Sequence, residues 1–305
     1  MQSILSLIRW KNLLMIALVQ LLIKYALLES FGVTITLNGF GFSLLIIATL
    51  CLAASGNIIN DIFDQDTDAV NKPKKVIVGK SISEKTAYSL FIGFNVVGVL
   101  IGFYLSHLVG RSGFFALFVI VSGLLYIYAS YLKQMILVGN IVISALIALS
   151  IIMVGLFELL PAITPQNQET QLTFFKIILD YALFAFCINL IRELVKDIED
   201  IDGDYKVGMN TLPIAIGRAR ATHVTLALTF IPLAAVIYYV ITYLYHNLWI
   251  VGYFLIFIIA PLIYVIIRLF QAKLKSDYNF ISSLLKIIML FGMLSLLIYK
   301  YKLLG

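Results

Sequence analysis

Nine apolar runs decide what this chain can fold into. They fall at residues 12–28, 41–60, 86–108, 112–131, 135–157, 172–195, 221–244, 248–268 and 279–298. Each is near the ~20 mainly apolar residues that carry an α-helix across a bilayer. The longest connections, 61–85 and 196–220, leave no room for a separate soluble domain. The chain is 62% hydrophobic and only 12% charged, against roughly 25% charged in soluble chains. A water-soluble core could not hide that much apolar surface. The fold class is therefore an all-α membrane protein of nine transmembrane helices, with residues 1–305 forming one transmembrane domain. The first run has no small-residue cleavage site after it and reads as a retained span, not a signal peptide.

Lysine and arginine orient the spans. With the N-terminus inside, the cytoplasmic side holds Arg9, Lys11, Lys72, Lys74, Lys75, Lys80, Lys85, Lys133, Lys196, Lys206, Arg218, Arg220, Arg268, Lys273 and Lys275. The other side holds only Arg111, Lys300 and Lys302. The net charge of +6 is modest. It fits loops facing anionic lipid and gives no sign of nucleic-acid binding. Cys51 and Cys187 lie in apolar runs and read as small core hydrophobes. Four cations fall inside spans: Lys24, Lys176, Arg192 and Lys286. Lys176 and Lys286 read as snorkelling to an interface. Arg192 stands one turn before Lys196, beside an acidic stretch.

Of sixteen acidic residues, nine lie in two short stretches, 60–68 and 197–204, each closing an apolar run on the cytoplasmic side. Asp61, Asp64 and Asp68 repeat the spacing of Asp197, Asp200 and Asp204. Positions i, i+3 and i+7 share one helical face, so each stretch presents a row of carboxylates. One such stretch alone would read as a solvated loop end, but the repeat argues for a paired site. The EF-hand pattern of a calcium sensor is absent. Magnesium takes a few carboxylates together with substrate phosphates. Lys72, Lys75, Lys206 and Arg192 supply charge for phosphate. A magnesium-held diphosphate with its apolar tail between the helices fits this set. An allylic diphosphate would ionise there, metal and cations stabilising the leaving group.

The stretch Asn60-Asp61-x-x-Asp64-x-x-x-Asp68 resembles the first signature of the UbiA superfamily of intramembrane prenyltransferases. Asp197-x-x-Asp200-x-x-x-Asp204 resembles the second. Asn71-Lys72-Pro73 and Gly79-Lys80-Ser81-Ile82-Ser83 are similar to the family's stretch after the first signature, with lysine where arginine is usual. The resemblance covers essentially the whole chain. It implies a helical bundle with a central cavity, capped on the cytoplasmic side, in which two Mg2+ ions link the rows to a prenyl diphosphate. On this reading Asn60, Asp61, Asp64, Asp68, Asp197, Asp200 and Asp204 hold metal. Asp64, Asp68, Asp200 and Asp204 are catalytic, and Asn60 also meets substrate.

Residues 197–213, with Arg192-Glu193, Tyr128 to Lys133 and Gly139-Asn140, are most similar to the branch that alkylates a glycerol-phosphate hydroxyl with a geranylgeranyl group. Two departures stand out: Tyr205 replaces the usual arginine and Asp202 the usual glutamate. The acceptor could instead be an aromatic ring of the quinone-precursor type. Lys133, Arg192 and Lys196 are available for an acceptor phosphate, although Lys133 could equally be a positive-inside anchor. Tyr128 and Tyr131 either line the cavity, where aromatic faces attract cations, or are ordinary interfacial tyrosines. Asn12 either lines the site or caps a helix. Gly203 could end its helix and leave Asp204 in a loop. A cation transporter is the competing class, but transporters place charge near the midplane on interrupted spans. Nothing points to an obligatory protein partner; the partners are prenyl diphosphate, the acceptor and membrane lipid.

Overall fold

The computed structural model describes residues 2–73 and 76–302. Among them, nine helices are long and apolar enough to cross a membrane: α1 Trp10–Phe31, α2 Gly39–Phe63, α3 Glu84–Leu108, α4 Ser112–Ser130, α5 Val138–Ala162, α6 Gln168–Lys206, α7 Arg218–Leu244, α8 Leu248–Gln271 and α9 Lys275–Ile298. Each coincides with one of the nine apolar runs, and the protein is an integral membrane protein. The ends follow local chemistry. Asn38 accepts from the Gly41 N–H at the start of α2 (2.8 Å) and Ser83 from the Thr86 N–H at the start of α3 (3.2 Å). Such first-turn donors have no partner within the helix.

Two helices depart from the sequence reading. α1 starts earlier, after Arg9 at φ 52°, and loosens into a π-helical turn over Leu22–Leu28. α6 is much longer than its apolar run. Its 39 residues give a rod of about 58 Å at 1.5 Å per residue, almost twice the ~30 Å hydrocarbon layer. Its last turns therefore carry the second acidic stretch out of the bilayer. The expectation that Gly203 ends this helix is corrected: the helix runs on to Lys206 and Asp204 is helical.

Helices α1, α2, α4, α5, α6 and α9 touch in that order and close a ring. α3 packs outside on α2 and α4, α7 on α6, and α8 between α7 and α9. One apolar core, including Leu45, Phe118, Val154 and Phe157, joins the α1–α5 side. Another, including Ile191, Ile250, Leu262 and Tyr278, joins α6 to α9.

The end of the ring away from the acidic stretches is locked by a buried ion pair. Lys24 donates to Glu158 Oε1 (2.7 Å) and to the Leu37 carbonyl (2.6 Å). Glu158 Oε2 accepts from the Thr36 and Leu37 N–H groups. Lys24 and Glu158 are 1% and 0% exposed, so without partners these charges would be very costly in a membrane. Nearer the centre, the Gln20 side-chain amide donates to the Ser150 carbonyl (2.8 Å) and Thr49 Oγ1 (3.2 Å). That contact joins α1, α2 and α5 across the middle of the ring.

Candidate active site

The ring encloses two adjoining compartments. A polar cavity of about 890 Å³ occupies the end with the acidic stretches. A narrower apolar compartment of about 180 Å³ continues inward, lined by Leu13, Ile16, Leu52, Leu125, Leu146 and Met153. Arg9, Asn12, Asn60, Tyr128, Arg192, Glu193 and Lys196 border both. Asn60 to Thr49 spans eleven residues of α2, so the apolar compartment is about 16 Å deep. The geometry suits a ligand with a charged head and a long apolar tail.

Both carboxylate rows line the polar cavity: Asp61, Asp64 and Asp68 from one side, Asp197, Asp200 and Asp204 from the other. The first row is bent. α2 stops at Phe63, Asp64 takes φ −90° and ψ 4°, and a short helix Gln65–Asn71 resumes. The Asp64, Asp68 and Lys72 N–H groups still bond four residues back, which keeps the row on one side. The second row lies on unbroken helix.

The loop after the first row is fastened to the second. Asn71 donates to the Asp200 carbonyl (2.8 Å) and accepts from the Gly203 N–H (3.0 Å). A Cβ on Gly203 would lie 2.3 Å from Asn71 Nδ2. Gly203 is thus a docking surface and not a helix stop. Lys72 pairs with Asp200, and Lys275 donates to the Asn71 carbonyl (3.2 Å).

Cations and amides hold Asp61, Asp64 and Asp197. Arg9 bonds Asp61 (2.7 Å), Lys133 pairs with Asp64, Asn60 donates to Asp64 (2.6 Å), and Asn140 donates to Asp197 (2.8 Å). Lys133 is set by a tight turn: a Cβ on Gly139 would meet Lys133 Cα at 2.6 Å. Arg192 and Lys196 share Glu193 at 3.0 and 2.8 Å. Asn12 is no cap. It accepts from Lys286 at 2.6 Å, and both line the cavity. Lys286 is therefore a cavity residue and not a snorkelling one, whereas Lys176 is exposed.

Two expected substrate contacts, Tyr131 and Lys206, are not brought in. Tyr131 lies past the end of α4 with φ −141°, so its side chain leaves the helical face of Tyr128; it is 61% exposed and lines neither compartment. Lys206 sits 200° around the helix from Asp204 and is exposed. Lys75 lies outside the described residues. Tyr128 does line both compartments. Arg9, Asn140 and Glu193 carry contacts in the site that the sequence reading did not assign. In the sequence Arg9 is only a topology signal, and no spacing rule links it to Asp61.

Charge is shifted where the site leaves the membrane. Burial pushes the Asp68 carboxyl up to about 6, and the nearby Asp64 charge adds to it. Burial works against the Lys72 and Arg9 cations, but the surrounding carboxylates, led by Asp200 and Asp61 respectively, together outweigh it and raise both pKa values. The donor set fits a hard divalent cation. Asn60 Oδ1 and Asp200 Oδ1 are buried without a hydrogen-bond donor. Among the described residues, the Asp68 and Asp204 carboxylates make no ion pair or hydrogen bond. No three acidic, histidine or cysteine residues there enclose an ion by themselves. Magnesium completed by water and substrate phosphate needs no such cage.

Comparison with known proteins gives a consistent result. A sequence model of the UbiA prenyltransferase family matches residues 14–297. Digeranylgeranylglyceryl phosphate synthase of Methanosphaera stadtmanae is 31% identical over 258 residues, 82% of this chain and 86% of that protein. A solved structure concerned with digeranylgeranylglyceryl phosphate synthase in membranes superposes with a TM-score of 0.65 at 24% identity, covering 99% of this chain and 98% of the other. A UbiA homologue from Archaeoglobus fulgidus, bound to GPP and Mg2+, superposes with a TM-score of 0.57 at 16% identity, covering 96% and 99%. The two superpositions bear on the fold.

Proposed function

Because the chain belongs to the UbiA prenyltransferase family, and so is a prenyltransferase, we propose that it transfers a geranylgeranyl-type group from its diphosphate to the hydroxyl of a glycerol-phosphate lipid, with Mg2+. We further propose that residues 1–305 act as one domain. The observation that carries this reading is the pair of aspartate rows facing one polar cavity whose base opens into an apolar compartment. The similarity to a digeranylgeranylglyceryl phosphate synthase supports the acceptor class. The Mg2+ and GPP bound by the Archaeoglobus homologue support the donor and the metal.

Asp61, Asp64 and Asp68, with Asn60, face Asp197, Asp200 and Asp204 as the oxygen ligands. Bound between them, Mg2+ would neutralise the diphosphate and make it a better leaving group. Lys72 and Lys133, drawn in by Asp200 and Asp64, add positive charge where charge develops on departure. The tail lies in the apolar compartment. The allylic carbon–oxygen bond breaks with its electron pair on the diphosphate. The acceptor hydroxyl oxygen bonds to the allylic carbon, and its proton leaves with the diphosphate. Tyr128, at the junction of the compartments, can turn its ring toward the developing cation.

The site end of the ring also carries Arg9, Lys72, Lys133 and Lys196. This supports an orientation with the N-terminus and active site cytoplasmic. Single cysteines at Gln65 and Asp202, in a background lacking Cys51 and Cys187, should be shielded from an impermeant thiol reagent in intact cells; labelling from outside reverses the topology. The function is tested with purified protein, geranylgeranyl diphosphate and two acceptors, geranylgeranylglyceryl phosphate and an aromatic acid. Magnesium-dependent release of diphosphate and an ether product from the first are expected. Prenylation of the aromatic acid alone would replace this reading with the aromatic one.

A further inference from the structure

Where the polar cavity meets the apolar compartment its inner wall is cationic, and no aspartate of the two rows pairs with these cations. It is built by α6 and α9, with Asn12 of α1 between them. Arg192 and Lys196 share one carboxylate, Glu193. Lys286 has none: its hydrogen bond goes to the neutral Asn12 amide (2.6 Å), and the charged groups whose fields reach it, Arg192 and Lys11, are both positive. Arg192 Nε is buried without an acceptor. Ser282, one turn before Lys286 on the same face of α9, also lines the cavity. Among the described residues Glu193 is the one carboxylate these three cations bond, with Asp197 beside Lys196 on α6 turned to Asn140, while Lys72 and Lys133 are taken up by Asp200 and Asp64 of the aspartate rows.

Cations gathered without counter-charge repel one another unless an anion joins them. A phosphate monoester, at about −1.5 to −2 charge, matches this wall in sign and size. The aspartate rows are carboxylate-rich and suit a diphosphate only through a cation. We propose that Lys286, with Arg192 and Lys196, binds the phosphate of the acceptor lipid at the inner end of the cavity, apart from the diphosphate held between the aspartate rows. This rests on the glycerol-phosphate reading above; of the three cations the sequence offers for the acceptor phosphate it keeps Arg192 and Lys196 and puts Lys286 in place of Lys133. Lys286 is a binding residue here; Asn12 positions it.

The test uses the full-length protein in lipid, with geranylgeranyl diphosphate and geranylgeranylglyceryl phosphate. Lys286→Gln removes the charge but keeps a donor for Asn12, and Lys286→Arg keeps the charge. Lys286→Gln should raise the acceptor KM at least about tenfold, or roughly 1.4 kcal/mol of binding, with the donor KM little changed. Lys286→Arg should return the acceptor KM to within about threefold of wild type on the same scale. Inorganic phosphate should compete with the acceptor in the wild type and much less in Lys286→Gln. An unchanged acceptor KM in Lys286→Gln overturns the proposal. So does an equal rise of both substrates' KM in both variants, which would mark a merely structural lysine. A wild-type enzyme that makes no glycerol-phosphate product removes the function reading itself, and this assignment with it. Wild-type transfer with an indifferent Lys286 removes the assignment alone.

Discussion

The two aspartate rows share a spacing but not a scaffold. The row at 197–204 stands on an unbroken helix of 39 residues, held by the α5, α7 and α9 helices around it. The row at 61–68 crosses a break at Asp64 and ends in a loop that reaches over to grip the other row through Asn71 and Lys72. Equal spacing therefore does not mean equal rigidity. The helical row is a fixed wall, and the bent row is placed against it by contacts made across the cavity. A site that admits a bulky diphosphate and releases another benefits from one wall that can give.

The largest effect should come from either row's central carboxylate. Asp64→Asn and Asp200→Asn remove one oxygen ligand and one ion-pair partner each, and turnover should fall at least about a hundredfold in both, on the scale seen when a charge-stabilising group is removed. The protein should remain in the membrane. Steady-state rates at saturating magnesium measure this. Near-normal activity in only one variant would show that the rows are unequal in chemistry as well as in scaffold.

A smaller effect should separate the scaffolds. Gly203→Ala puts a methyl into Asn71, and Asn71→Ala removes the grip altogether. Both spare the helical row and loosen the bent one, so activity should drop about tenfold, comparable to losing an outer-shell partner of a metal ligand. Hydrogen exchange should rise across 65–73 and not across 190–200. Equal loosening of both segments would mean that the helical row also depends on the grip.

These contrasts show what could be read without coordinates. The nine spans were legible because membrane insertion demands long apolar runs. The rows were legible because helical periodicity turns spacing into direction. What spacing could not show was contact between distant segments: Arg9 on Asp61, Asn140 on Asp197 and Lys286 on Asn12 lie far apart in the chain. Gly203 was misread because glycine usually signals a helix end, while here it makes room for a side chain 132 residues away. Tyr131 and Lys206 were misplaced by their backbones, one by leaving its helix and the other by a 200° rotation.

A pH effect should follow from the bent row. Asp68 has a pKa moved from 3.8 up to about 6. The folded cavity holds its proton more tightly than the unfolded chain does. In metal-free protein this group's contribution to stability therefore falls as pH rises from 3.8 to about 6. Metal binding needs the carboxylate ionised. Protonation of Asp68 should thus raise the magnesium concentration for half-maximal activity below about pH 6, by at most about tenfold per pH unit for this one proton. A magnesium titration from pH 5 to 8 reads it directly, and Asp68→Asn should flatten the slope. A slope unchanged in Asp68→Asn would assign the proton to another carboxylate.

The smallest effect concerns the departure at 205. If the second row works only through the face it turns to the cavity, the residues on its other faces should be free to vary. Tyr205 is 73% exposed and lines neither compartment. Asp202 is also on the outside, where it pairs with Arg218 at 3.5 Å. Restoring an arginine, Tyr205→Arg, would add a cation at the surface, where one exposed charge is worth about 0.2–1 kcal/mol. The change in kcat/KM for either substrate should stay below about fivefold. The cations that matter, Lys72, Lys133 and Arg192, already line the cavity. A large gain in donor affinity in Tyr205→Arg would show that residue 205 swings inward when substrate binds. The helical row would then be the mobile wall, and the contrast between the two scaffolds would be reversed.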